Sequence, residues 1–300
     1  MAAQPKAIRR ILAGTDFSRP ASQAVLRAVM LAAEHSADLE IVHVAPRVDR
    51  ARLRRLGLGG LAGACAGELC AARLAQAQDL AYSRGVTATV RLLKGGAPAA
   101  LTREAARLSA DLVVLGCRGE RSLKDALIGT TAERVLERWR GDTLVVKRAP
   151  REDYGTILAC VSLAPVSCSV LRSAVALSGQ ARFHVLHAYE PLFELKLLSH
   201  QASGQTLAAY RAAAKAEAIQ GLAELLARCP LPGDRRLELH VRYGGYGGPA
   251  TMIPGAAVRH GADVIVVGKN QSRLEGLFLG GITKQVVRAA RADVLVVDPG

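Results

Sequence analysis

Glycines at a particular spacing are the residues of this chain best suited to binding an anionic ligand. Gly116-Cys-Arg-Gly119 is followed, after nine further residues, by Gly129-Thr130. The first group follows an apolar run and the second opens a stretch with helical periodicity. Backbone N–H groups at a strand end and at a helix start can surround a phosphate, because glycine leaves no Cβ in the way. The spacing therefore indicates a phosphate-binding concavity.

Structural roles are open to two residues near this site. Thr130 and Glu133 have the spacing of a capping box, in which a threonine hydroxyl and a glutamate satisfy the first N–H groups of a helix. Asp16 stands just before the predicted helix that starts near Pro20, where a carboxylate can act as the N-cap. The chain has no Gly-x4-Gly-Lys-Ser/Thr element, so the site is not of the P-loop type.

The elements that must position these residues occur twice. Ile11–Asp16 is similar in sequence to Ile157–Ser162, and Ala110–Gly116 is similar to Ala262–Gly268. The two pairs are offset by 146 and 152 residues. Offsets this long indicate duplicated domains rather than a solenoid, whose repeats are 20–50 residues long. We place the first domain at residues 1–149, a linker at 150–154 and the second domain at 155–300.

The fold class follows from how apolar residues alternate along each copy. Short β-branched runs without polar alternation are separated by segments with helical spacing, such as Ser22–Glu34, Glu68–Ser83 and Pro98–Leu108. This pattern predicts an α/β fold with a parallel sheet covered on both faces. Ligands of such sheets bind beyond the carboxyl ends of the strands, where the strand order reverses.

Composition favours some partners and disfavours others. A formal net charge of +14 suits an anionic partner, although a solvated surface with many arginines explains it equally well. No run is long and apolar enough to predict a membrane span or a signal peptide, so we expect a cytoplasmic protein.

The six cysteines lack zinc-type spacing and are predicted to be free thiols. Cys117, between the motif glycines, is either an oxidant-sensitive thiol or an inert small residue.

The histidines show no metal-binding spacing. His43 and His187 occupy matching places in the second strand of each copy and are predicted to be packed core residues. His35, His184, His200, His240 and His260 lie too far apart in sequence for a spacing motif such as H-x-x-x-H. The sequence therefore predicts no metal site.

The chain resembles a tandem universal stress protein, with two UspA-type domains in one polypeptide. The resemblance covers nearly all of both copies and rests on Ile11–Ser18, on the glycine spacing from Gly116 to Thr130, and on the closing strand Leu144–Lys147. It implies two doubly wound five-stranded parallel-sheet domains of the adenine-nucleotide alpha-hydrolase-like, Rossmann-like type. In this family the glycine pattern marks members that bind ATP, so ATP is the cofactor that the resemblance implies, with Mg²⁺ as an optional companion.

The resemblance also assigns site residues. It implies that Asp16 contacts the adenosine end, that the backbone of Val44 meets the base, and that the glycine motif holds the phosphates. The full set comprises Gly14, Thr15, Asp16, Val44, Leu115, Gly116, Arg118, Gly119, Gly129, Thr130 and Thr131. No catalytic residue is predicted, because no nucleophile and base converge at the motif.

The second copy departs from the pattern. Gln271 stands where the second glycine should be, Gly281 replaces the hydroxyl residue, and Ser162 replaces Asp16. We therefore expect a degenerate second site. Two segments outside the common plan, residues 47–66 and 243–249, are either lids or partner surfaces, or loops without specific chemistry.

The favoured function is a stress-response regulator that binds ATP in its first domain, and whose nucleotide occupancy biases its conformation or the binding of a protein partner. We expect no dedicated enzyme activity beyond slow, incidental ATP hydrolysis. The alternative is an interaction or scaffold protein of the same fold that needs no nucleotide. Specific nucleic-acid binding is disfavoured, since stacking aromatics and a helix-turn-helix pattern are missing from the sequence. The resemblance further suggests an intramolecular pseudo-dimer of the two domains and leaves open a homodimer of chains.

Overall fold

The structure is a computed structural model, in which the chain forms two compact units. One is built on residues 7–153 and the other on residues 154–299. The described residues are 6–46, 64–117, 128–164, 166–190, 193–231, 237–244, 248–269 and 280–298. Tyr154 is buried, and its hydroxyl donates a 2.7 Å hydrogen bond to Asp293 Oδ2 inside the second unit.

The first domain alternates strands and helices. Its elements are β1 (Arg10–Thr15), α1 (Arg19–His35), β2 (Asp38–Ala45), α2 (Ala64–Tyr82), β3 (Ala88–Lys94), α3 (Ala97–Leu108), β4 (Leu112–Gly116), α4 (Thr130–Arg138) and β5 (Asp142–Val146). The five strands are parallel, in the order β3-β2-β1-β4-β5. The predicted doubly wound parallel sheet is confirmed.

The second domain repeats this plan with one enlarged connection. Its elements are β6 (Thr156–Val161), α5 (Val166–Leu177), β7 (Arg182–Tyr189), α6 (Glu194–Ser199), α7 (Gly204–Arg228), β8 (Leu237–Tyr243), α8 (Gly248–Arg259), β9 (Val264–Gly268), α9 (Gly281–Ala289) and β10 (Asp293–Val297). The parallel order is β10-β9-β6-β7-β8, which matches that of the first domain. Two helices, α6 and α7, lie between β7 and β8, and α2 is the helix described between β2 and β3, where residues 47–63 lie outside the described residues.

Local sequence explains where the helices begin and end. Helix α1 starts after Ser18, whose hydroxyl accepts a hydrogen bond from the Ala21 N–H, and it has Pro20 in its first turn. It ends at Ser36, which adopts a left-handed conformation and satisfies the last carbonyls. The central strands read as continuous apolar runs because both of their faces are covered, and Leu112–Leu115 are all buried.

The register of the strands creates a crevice at their carboxyl ends. From β1 the chain proceeds outward along the sheet to β2 and β3, and it then crosses to the other side of β1 to form β4 and β5. β1 and β4 therefore flank the point where the strand order reverses, which is where open α/β sheets bind ligands. β2 extends past the last pair of β1, Thr15 with His43, so that Val44 lies beyond the end of β1.

The structure corrects two expectations about individual residues. Cys168 and Cys229 are not free thiols: they form a disulfide between α5 and the end of α7, with their Cα atoms 5.6 Å apart. Sequence spacing could not reveal this pair, because 61 positions separate its members. Cys70, Cys117 and Cys160 keep their thiols and are not disulfide-bonded, as expected.

The capping box is the second correction. Gly129, not Thr130, is the N-cap of α4, and no side chain caps that helix. Thr130 is already the first helical residue, so its hydroxyl lies one position too far along the chain for the capping role. The alternative of Asp16 as a helix cap is also wrong, since Ser18 takes that place for α1.

Among the helices that the structure describes, we find none with the length and hydropathy that a bilayer-spanning segment requires.

Candidate functional site

The carboxyl end of β1 supplies three of the predicted site residues. Gly14 packs so closely on β4 that a Cβ there would lie 2.6 Å from the Leu115 side chain. Thr15 is nearly buried, and its hydroxyl accepts a hydrogen bond from the Phe17 N–H. Asp16 is exposed, and its Oδ1 accepts a 3.1 Å bond from the Ser18 N–H. This carboxylate therefore helps to shape the turn before α1 while one face of it meets solvent.

The carboxyl end of β4 lies against the start of α1. A Cβ on Gly116 would come within 2.8 Å of the Pro20 carbonyl carbon and oxygen. Glycine is thus required here by packing, whether or not a ligand is bound. Its equivalent, Gly268, lies close to the start of α5, where a Cβ would meet Val166 at 3.1 Å.

The two halves of the glycine motif are joined by hydrogen bonds. The Gly129 N–H donates to the Cys117 carbonyl at 2.7 Å, and the Cys117 N–H donates to the Val146 carbonyl at 2.9 Å. These bonds bring the N-terminus of α4 to the carboxyl end of β4. Thr130 is exposed and Thr131 is half-buried at that terminus. The first N–H groups of a helix lack intrahelical partners, so an uncapped start presents donors and a positive dipole to an anion.

The crevice near β2 carries aromatic rings. His43 places its Nδ1 2.8 Å from the Thr15 carbonyl oxygen, and its ring lies 4.3 Å from that of Phe17. Phe17 has a φ of 63°, a left-handed conformation that is strained for a bulky residue. His187 makes the same contact in the second domain, with its Nδ1 2.9 Å from the Val161 carbonyl oxygen. Both histidines thus link the second strand to the end of the first.

The predicted set is brought together only in part. Gly14, Thr15, Leu115 and Gly116 lie on the adjoining strands β1 and β4, and Gly129–Thr131 start the helix joined to them. Arg118 and Gly119 fall outside the described residues, as do Gln271 and most of the segments 47–66 and 243–249. Their predicted roles stay predictions.

A cavity of about 260 Å³ opens between α1 and α2. Of the predicted site residues that the structure describes, Thr15 alone lines it, and the guanidinium of Arg73, another lining residue, lies 5.6 Å from the centre of the Phe17 ring. The remaining lining residues are Ser22, Val25, Gln76, Ala77 and Leu80. The cavity thus adjoins the carboxyl end of β1, whereas the uncapped end of α4 does not line it.

The equivalent edge of the second domain is built differently. Lys269 takes the place of Cys117, and its Nζ lies 3.3 Å from Asp298 Oδ2, with both side chains only 3% exposed. The Thr283 hydroxyl donates a 2.8 Å hydrogen bond to the Gly268 carbonyl. An ion pair and a side-chain hydrogen bond thus lie beside β9, and the degeneracy of this site stays a prediction.

A charged cluster lies towards the amino ends of the strands in the first domain. Glu40 on β2 and Glu104 on α3 are both buried, and Arg107 bonds both carboxylates, at 2.7 Å and 2.6 Å. Arg91 on β3 adds a 3.0 Å ion pair to Glu104. Burial, together with the neighbouring Glu104, raises the pKa of Glu40. Burial alone would also raise the pKa of Glu104. Hydrogen bonds and the positive charges of Arg91 and Arg107 outweigh it, so that the pKa of Glu104 is lowered.

Sequence reasoning missed one cluster of ligand-type side chains. His184, His240 and His260 lie together in the second domain although 56 and 20 positions separate them along the chain. In the strand register, His184 occupies on β7 the position that Glu40 occupies on β2, and His240 matches Arg91. The sequence carries no signal for this cluster, because its members meet only through strand pairing and the end of α8.

The chain was compared with known proteins. The model of the universal stress protein family matches residues 7–147 and 153–298. A universal stress protein of Methanocaldococcus jannaschii is 27% identical over 144 residues, which is 48% of this chain and 85% of that protein.

Two solved structures resemble the whole chain. A universal stress protein from Archaeoglobus fulgidus has a TM-score of 0.68 and 15% identity, covering 97% of this chain and 98% of its own. A protein of unknown function from Pseudomonas aeruginosa has a TM-score of 0.62 and 20% identity, covering 97% and 93%. At these identities the likeness establishes the fold alone.

Proposed function

The chain belongs to the universal stress protein family in both of its halves, and we propose that it is a stress-response regulator whose first domain binds ATP. The observation that carries this proposal is the uncapped start of α4, which Gly129 joins to the carboxyl end of β4. It lies where the strand order reverses, and it coincides with the glycine spacing that marks ATP-binding members of the family.

The described residues fit the roles that the family resemblance gives them. Thr130 and Thr131 would offer N–H groups, two hydroxyls and a helix dipole to the outer phosphates, while Gly129 uses its N–H to join α4 to the end of β4. Asp16 would repel phosphate, so we assign its exposed carboxylate to the ribose end. Val44 lies just beyond the last pair of β1, at the rim where its backbone would meet the base. Gly116 leaves room for the start of α1 and so determines the shape of the crevice.

The proposed role is regulatory rather than enzymatic. Nucleotide occupancy would alter the contacts between α4 and the carboxyl ends of β1 and β4, and thereby the surface offered to a protein partner. ATP hydrolysis, if it occurs, would be slow, because the described residues of the site include no nucleophile paired with a general base.

One observation favours the alternative function. Gly116 is required by packing against Pro20, and Gly268 of the other domain also lies close to the helix it faces, where a Cβ would be 3.1 Å from the Val166 side chain. Part of the glycine pattern would thus persist in a scaffold protein that bound no nucleotide. The two functions differ in whether ATP binds the intact chain at all.

The test is equilibrium ATP binding to the full chain by calorimetry, with and without Mg²⁺. Thr130→Glu places a carboxylate where we expect phosphate, while an acidic residue in the first turn suits the helix dipole and should preserve folding. We expect it to weaken ATP binding by at least about tenfold. The matched control is Gly281→Glu at the same position of α9 in the second domain, which should leave ATP affinity unchanged.

Mass spectrometry of nucleotide released from freshly purified, denatured protein would complement the titration. If the wild-type chain neither carries nor binds ATP, the scaffold function is the correct one. If Thr130→Glu binds ATP as tightly as the wild type does, the nucleotide lies elsewhere and our placement of the site is wrong.

A further inference from the structure

We propose that His184, His240 and His260 form a binding site for a zinc-type divalent metal ion in the second domain. His184 is the third residue of β7, His240 is the fourth residue of β8, and His260 directly follows α8. The site lies towards the amino ends of the strands. It is therefore separate from the nucleotide crevice and does not depend on the proposed function.

The positions of the ligand atoms favour joint coordination. His184 Nδ1 lies 3.0 Å from His240 Nε2, and one ligand nitrogen from each of the three rings lies within 4.8 Å of the other two. In a tetrahedral zinc site with Zn–N bonds of about 2.0–2.1 Å, ligand nitrogens are about 3.3 Å apart. Small side-chain rotations would therefore suffice to bring all three nitrogens to one ion.

The rings are also held close to one another as a group. Their centroids are 5.3 Å apart for His184 and His240, 4.8 Å for His184 and His260, and 4.2 Å for His240 and His260. The strand register fixes the first pair, because His184 is opposite Glu238 and His240 is two residues further along the same strand. The end of α8 brings the third ring onto the same face of the sheet.

A lowered pKa favours metal binding, because neutral imidazole is the form that ligates. Burial, followed by the other two rings, lowers the pKa of His240. Burial, followed by His184, lowers the pKa of His260 as well. Arg242 and Arg259 contribute to these shifts and Glu238 opposes them. Both shifts favour the neutral, ligating form of His240 and His260.

The cluster has a carboxylate at its edge. Glu238 Oε2 lies 3.4 Å from His184 Nδ1, and its side chain is 61% exposed. It can serve as a fourth ligand or accept a hydrogen bond from a metal-bound water, and its charge offsets that of the nearby arginines. His184 is buried while His240 and His260 are half-buried, so an ion could enter from the solvent side. A bound ion would link β7, β8 and the end of α8.

The experiment is zinc binding to the intact chain after removal of metals with a chelator. Calorimetry should show one Zn²⁺ ion per chain in the wild type. His240→Gln and His260→Gln should each lower the affinity by at least about 100-fold, since loss even of an outer partner costs 10–100-fold. The matched control is His200→Gln: His200 is an exposed histidine of the same domain whose Nδ1 contacts the Lys196 carbonyl, and its loss should change nothing.

Co²⁺ absorption spectroscopy distinguishes this site from a cysteine site, which matters because Cys70, Cys117 and Cys160 are not disulfide-bonded. We expect tetrahedral d–d bands without thiolate charge-transfer absorption. Thiolate bands, wild-type affinity in His260→Gln, or no stoichiometric binding would each overturn the proposal. His260 lies after the end of α8 and is half-buried, so its replacement should spare the fold. Circular dichroism checks this, and Zn²⁺ should raise the Tm of the wild type but not of this variant.

Discussion

The carboxyl edges of the two sheets use one backbone plan for different purposes. In the first domain, Cys117 follows β4 and the start of α4 is left without a side-chain cap. In the second domain, Lys269 follows β9 and pairs with Asp298, and Thr283 bonds the Gly268 carbonyl. Helix α9 also starts without a side-chain cap, so among the described residues the two edges differ in the side chains beside β4 and β9 and not in the helix starts.

Towards the amino ends of the strands, the two domains also have different side chains at equivalent positions. The register that places Glu40 and Arg91 together in the first domain places His184 and His240 together in the second. The first set forms an ion-pair network with Glu104 and Arg107, and the second forms the histidine cluster. The backbone thus decides which positions meet, and the side chains at those positions decide whether the result is a stabilising network or a ligand site.

The largest expected effect concerns the ion pair of the second domain. Lys269→Met removes the cation that faces the buried carboxylate of Asp298, and we expect a loss of about 3–5 kcal/mol in unfolding free energy. Hydrogen exchange of the intact chain, followed in peptides from β9 and β10, would measure it. The double variant with Asp298→Leu should recover most of the loss. If the single variant is as stable as the wild type, this edge is not closed by the ion pair and the contrast between the domains fails.

We expect a smaller loss of stability when Gly116 or Gly268, which precede Cys117 and Lys269, is replaced by alanine. Gly116→Ala would force a Cβ to within 2.8 Å of the Pro20 backbone, and we expect destabilisation of about 2–3 kcal/mol. Gly268→Ala meets only Val166 and Val170 side chains, at 3.1 Å and 3.2 Å, and should cost about 1 kcal/mol or less.

Urea unfolding followed by the fluorescence of Trp139, the single tryptophan, reports on the first domain. Hydrogen exchange reports on the second. Equal losses for the two variants would show that the glycines have the same packing demands, and that the close approach to Pro20 is no special feature of the first domain.

The smallest expected effect is the pH dependence of the ion-pair network. Burial raises the pKa of Glu40, so its carboxylate costs stability once the pH rises above the ordinary glutamate range. Glu40→Gln should match the wild type near pH 4 and become slightly more stable than it towards pH 7. Glu104 has a lowered pKa, so Glu104→Gln should show the opposite sign, losing stability at pH 7 and little at pH 4. Trp139-monitored unfolding across this range measures both, and parallel profiles for the two variants would contradict the assignment.

Much of the fold was readable from the sequence. Apolar runs such as Leu112–Leu115 predict buried parallel strands, and the helices expected at Ser22–Glu34, Glu68–Ser83 and Pro98–Leu108 are present within a few residues. The duplication predicted two similar domains, and the family match extends over both. These features depend on local periodicity and on short-range turn chemistry, which the order of residues records directly.

Individual side-chain roles were less readable. The spacing of Thr130 and Glu133 suggested a capping box, but the helix begins one residue too early for it. The spacing of the cysteines suggested free thiols, yet the packing of α7 against the rest of its domain joins Cys229 to Cys168. In both cases a one-residue shift or a long-range contact decided the outcome, and neither leaves a mark in local sequence.

The sequence by itself determined the family, the duplicated α/β plan and the asymmetry of the glycine motif between the two halves. Only the tertiary structure decided that Gly116 is needed for packing, that Lys269 pairs with Asp298, and that three distant histidines converge. The physical reason is that periodicity is a property of neighbours along the chain. Contacts between β7, β8 and α8 depend instead on strand register and on how a helix ends, which are fixed only when the whole domain has folded.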